Sequence, residues 1–126
     1  MHRAMQIIAN DREIFMEIIK SGKENNVLVV KVKGRMDAVT APEFEKTVSL
    51  WIDSGEKCFV VDLSSLEYIS SAGLRIILVI AKKLKAINGK ILLAAMEESV
   101  TEVFTISGFN SIIPIHDTVQ AAILQA

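Results

Sequence analysis

Cysteine is nearly absent from this chain: Cys58 is the only one, so no intramolecular disulfide can form. Inside the apolar run CFVVDL its expected role is that of a small buried hydrophobe. Histidine occurs twice, as His2 and His116, and one cysteine with two distant histidines offers no metal-ligand spacing. No metal and no cofactor is expected. Proline is limited to Pro42 and Pro114, and no linker-like or repeated tract breaks the chain. Apolar runs stay far short of the ~20 residues that cross a bilayer, and the start MHRAMQIIANDRE lacks the apolar core of a secretory signal. A soluble, cytoplasmic protein is the expectation. Neither sign of charge dominates, with 14 Lys+Arg against 15 Asp+Glu. That balance argues against general nucleic-acid binding, which draws on clustered positive charge. G-x-x-x-x-G-K-[ST], G-x-G-x-x-G and the G-x-S-x-G elbow are all missing.

What is present suffices for one domain. The chain has 126 residues, 51% hydrophobic and 23% charged, enough to bury a core of ordinary size. Residues 14–20 (IFMEIIK) and 27–33 (VLVVKVK) read as a hairpin, with SGKENN as its turn. Thr40 and Glu43 have capping-box spacing, and Phe44, Val48, Trp51 and Ile52 follow one helix face up to Gly55. KCFVVDL (57–63) reads as a strand covered on both faces. The longest helical pattern spans Ser71 to Asn88. KILLAA (90–95) is another buried strand, 98–107 a shorter helix, and SIIPIH an edge strand because Pro114 lacks an N–H. Asp117 is placed to cap a last helix.

The order ββαβαβαβα predicts a single α/β domain: a mixed β-sheet of about five strands with about four helices packed against it. Residues 14–126 form that domain. Residues 1–13 are an unassigned arm, open to being an extra strand, a flexible arm or a cloning remnant.

One stretch stands out, YISSAGLR at 68–75. Ser70 and Ser71 fall where an apolar strand meets an apolar helix, with no base in reach, so a serine hydrolase is not expected. One serine serves as N-cap in the plainest reading. The sharper reading is a phosphorylation switch, because a helix N-terminus favours a phosphate and ~1.5–2 added negative charges alter what can dock there. Behind the corner, Ala72, Ile76, Val79 and Ile80 make a second apolar stripe. Either the helix is buried on two sides, or the stripe is a partner-binding patch.

KGRMDAVTAPEF followed by VVDLSSLEYISSAGLRIIL resembles the STAS domain of anti-sigma-factor antagonists, from about Ile14 to Ala126. The resemblance implies a non-enzyme that regulates transcription by partner switching. Unphosphorylated, it would bind an anti-sigma factor with serine kinase activity; phosphorylation of Ser71 would release it, and a phosphatase would reset the cycle. Asp37, Ser70, Ala72 and Gly73 would form the switch loop, and Ile76, Val79 and Ile80 the partner-binding patch. A monomer or weak dimer is expected. Asp37 has a competing role as a turn-stabilising residue. Ser70 departs from the aspartate that many family members carry, which leaves the corner one negative charge poorer. The alternative is a non-switching scaffold or sensor module of the same fold in a signalling assembly or transport-associated system.

Overall fold

The structure is a computed structural model that describes residues 6–8 and 16–126. His2 and the expected strand start at Ile14–Phe15 lie outside the described residues. The elements are β1 (Gln6–Ile8), β2 (Met16–Glu24), β3 (Val27–Met36), α1 (Ala41–Asp53), β4 (Cys58–Ile69), α2 (Ser71–Ala86), β5 (Lys90–Ala94), α3 (Glu98–Ile106), a 3₁₀ turn (Phe109–Ser111), β6 (Ile115–His116) and α4 (Val119–Gln125). Six strands form one sheet in the order β1-β2-β3-β4-β5-β6. β1 to β3 pair antiparallel and β3 to β6 parallel. The class is the mixed α/β one, and residues 6–8 add a strand to the five expected. No helix among the described residues is long and apolar enough to cross a membrane.

Alternation sorts the core into two layers. Leu28, Val30, Val32, Phe59, Val61, Leu63, Ile91 and Leu93 point toward α1, α2 and α3. Val27, Val60, Leu92 and Ala94 point the other way, under α4 through Ala122 and Ile123. Cys58 is half-buried beside this second layer. Burial pushes its thiol up from the usual range and Lys90 partly opposes this, so the thiol form is held.

Three local expectations are corrected. The hairpin turn is only Asn25–Asn26, both with positive φ, and most of SGKENN is strand. Asparagine tolerates that region, which lets a two-residue turn match the strand twist. Thr40 precedes α1 but its side chain caps nothing. The last helix is capped by Thr118, whose hydroxyl accepts the Ala121 N–H at 3.0 Å, and not by Asp117.

β4 also runs past its expected end at Leu63, out to Ile69. Its pairing with β3 slips twice: Lys31 faces Asp62 while Lys33 faces Ser65, and Gly34 faces Leu66 while Arg35 faces Tyr68. Each slip gives β4 one extra residue, a bulge that turns Leu66 and Ile69 back onto the core face. β5 stops where Ala94 meets Asp62, so the last seven residues of β4 have β3 alone as a strand neighbour.

Candidate functional site

The two serines divide the work at the corner. Ser70 is the N-cap of α2, extended at φ −96° and ψ 175°, and its hydroxyl accepts the Gly73 N–H at 3.3 Å. Its own N–H donates to the Met36 carbonyl at 2.9 Å, tying the corner to the end of β3. Ser71 is the first helical residue and is exposed. Capping therefore needs only Ser70 and leaves the Ser71 hydroxyl without that duty.

Ala72 and Gly73 belong to the first turn of α2, half-buried and buried respectively. Gly73 is there for clearance. A Cβ at residue 73 would stand 2.7 Å from the Met36 carbonyl oxygen and 2.7 Å from Ile69 Cγ1.

Asp37 organises the neighbouring loop. Its Oδ1 accepts the N–H groups of Val39 (3.0 Å) and Thr40 (3.1 Å), an Asx turn that leads into α1. Thr40 is drawn into the same network, donating to the Arg35 carbonyl at 2.7 Å and accepting the Asp37 N–H at 2.9 Å. This is why the capping box fails: the buried Thr40 hydroxyl already accepts the Asp37 N–H, and no helix N–H bonds to it. The turn role of Asp37 is thus realised in the geometry.

The apolar stripe of α2 splits. Ile80 is completely buried in the core, so it is corrected from the expected patch. The helix packs against α1 as well as against β4 and β5. Ile76 and Val79 are half-buried. The structure adds residues to the rim that the sequence reading did not single out. Val39, 59% exposed, stands on the Asp37 loop. Tyr68, 42% exposed, carries the Arg35 guanidinium 4.3 Å from its ring centre. The β3–β4 register that sets Arg35 beside Tyr68 was not visible in either strand alone.

His116 cannot serve Ser71 as a base. It lies level with Ala94 and hence with Asp62, and Ser71 follows seven further strand residues, roughly 20 Å along β4.

A STAS domain profile matches residues 19–122, from within β2 to within α4. The chain belongs to the STAS domain family. This STAS domain is 39% identical over 100 residues to BtrV of Bordetella bronchiseptica, whose name proposes it as an anti-sigma factor antagonist; the match covers 79% of this chain and 86% of BtrV. An anti-sigma factor antagonist from Mycobacterium paratuberculosis superposes with a TM-score of 0.76 at 22% identity, over 98% of this chain and 93% of that one. The Bacillus protein SpoIIAA has been solved unphosphorylated (TM-score 0.70, 21% identity, 86% of this chain and 92% of that one). Its phosphorylated form also matches (TM-score 0.66, 19% identity, 87% and 97%). These low-identity structures share the STAS fold.

The Ser70 cap can be tested within this geometry. Ser70→Asp keeps an N-cap oxygen and places a negative charge at the positive end of α2, a gain of ~0.3–1 kcal/mol. A melting temperature raised by roughly 1–4 °C is expected by calorimetry. Ser70→Ala should fall below wild type. If the aspartate variant melted lower than the alanine one, residue 70 would not be the cap in solution.

Proposed function

We propose that this STAS domain is an anti-sigma-factor antagonist that binds a kinase-type anti-sigma factor and is released by phosphorylation of Ser71. The observation that carries the reading is the division between the serines: Ser70 caps α2, while exposed Ser71 opens it. A phosphate there meets the positive end of the helix dipole, so the fold can accept it. The docked partner cannot do so as easily, since like charges across an interface cost several kcal/mol. BtrV and SpoIIAA support the partner class, and the phosphorylated SpoIIAA structure supports the modification.

In this reading the partner contacts Ser71, Ala72 and the Asp37 loop, with Ile76 and Val79 as the apolar portion. Gly73 lets α2 seat against β3. A serine phosphatase resets the switch. The functional unit is residues 14–126, with β1 an edge strand attached from the arm. The protein works by binding in the cytoplasm, and no catalytic role falls to its own residues.

The experiment is direct. The protein is immobilised, anti-sigma factors are recovered from the native cell, and the eluate is incubated with ATP. Mass spectrometry should place one phosphate on Ser71 and none on Ser71→Ala. Phosphate on Ser70 alone, or no phosphorylation by a recovered anti-sigma factor, would overturn the assignment.

A further inference from the structure

α2 carries a second surface at the end remote from Ser71. Leu78, Ala81, Lys82 and Lys85 recur at i, i+3, i+4 and i+7, one stripe of the helix. With Ile112 they line a groove of about 320 Å³. It continues along Lys90 and Pro114. Ile112 is 57% exposed. Among the described residues Lys82, Lys85 and Lys90 have no carboxylate within ion-pair distance. The groove therefore combines apolar residues with unpaired lysines, and an acidic amphipathic segment complements it.

The same chain carries one. Along α3, Glu98, Glu102 and Ile106 stand at i, i+4 and i+8, all exposed, with Ile106 at 85% the most exposed of the large apolar residues described. We propose that two copies of this chain pair around a two-fold axis, α3 of each seated in the α2 groove of the other.

The geometry agrees at each step. From Glu98 to Ile106 the stripe is roughly 12 Å long, and from Leu78 to Lys85 roughly 10 Å. Antiparallel seating places Ile106 toward Leu78 and both glutamates toward Lys82, Lys85 and Lys90. Parallel seating would oppose Ile106 to Lys85. Within one molecule α2 and α3 both run back between parallel strands, so they point the same way. A two-fold axis perpendicular to them reverses one copy, gives the required antiparallel contact, and makes it twice. Such an interface closes at a dimer. It leaves Ser71 free, so it stands independently of the switch reading.

Sedimentation velocity over a concentration series tests it. Wild type should pass from monomer to dimer and no further. Lys82→Glu/Lys85→Glu should raise the dissociation constant at least tenfold, and so should Glu98→Lys/Glu102→Lys. All four positions are exposed, and circular dichroism should show both variants folded. An equimolar mixture of the two should recover the wild-type dimer, because both contacts then join opposite charges. A wild type monomeric up to about 1 mM, growth beyond a dimer, charge swaps without effect, or a mixture that fails to recover would each overturn the proposal.

Discussion

Ser71→Ala should bind the anti-sigma factor permanently, and Ser71→Asp should bind it at least tenfold more weakly, while the two proteins melt within a few degrees of one another. Stability barely changes because Ser70, not Ser71, makes the cap. An aspartate at the first helical position is welcome there, by ~0.3–1 kcal/mol. Binding changes because a tenfold loss needs only ~1.4 kcal/mol of unfavourable interaction, well within what an unmatched charge costs at an interface. Titration calorimetry against the recovered partner decides it. Equal affinities would remove charge at residue 71 from the mechanism and leave a non-switching STAS module.

Gly73→Ala should destabilise the domain, although alanine is the better helix former by about 1 kcal/mol. The new Cβ would press on the Met36 carbonyl, which belongs to the backbone of a central strand and cannot swing aside. Overpacking of this kind costs ~1–3 kcal/mol; the two walls of the site favour the upper part of that range, for a net loss of about 1–2 kcal/mol. The melting temperature should fall by roughly 3–8 °C, and Gly73→Val should fall further. Binding should weaken as well, since relief comes by tilting the first turn of α2 and Ser71 with it. A Gly73→Ala protein as stable as wild type would show that the corner is free to shift.

The helices were legible because their apolar residues keep a 3.6-residue period, and the sheet class followed from their alternation with strands. The failures have physical causes. β4 lost its visible alternation at Ser64 and Ser65, and only the pairing with β3 reveals the bulges that restore it. Thr40 and Glu43 had the right spacing for a capping box, yet the Thr40 hydroxyl accepts the Asp37 N–H in place of a helix N–H. Ile76, Val79 and Ile80 looked equivalent because apolar character marks buried and docking faces alike. Only the packing of α2 shows that Ile80 belongs to the core while Ile76 and Val79 are half-buried. At the corner, both serines were legible as cap and switch candidates, and the hydrogen bond to Gly73 tells which is which.

The overhang of β4 has a consequence for traffic at the corner. A kinase must close its own cleft around the hydroxyl it modifies, so an acceptor flush with neighbouring strand ends would be fenced on both sides. A cavity of about 470 Å³ lies against residues 64–67 of β4, lined also by Lys33 and Gly34 of β3 and by Glu97 and Ser99. Ser71 thus stands at the end of a strand whose last seven residues pair with β3 alone, with no strand beside it on the β5 side. The pairing of Ile69 with Met36 sets that reach, and the two extra residues of β4 are absorbed in its bulges. Deleting either would remove a bulge and leave Leu66 and Ile69 on the core face, so Ser71 would keep its place just beyond Met36.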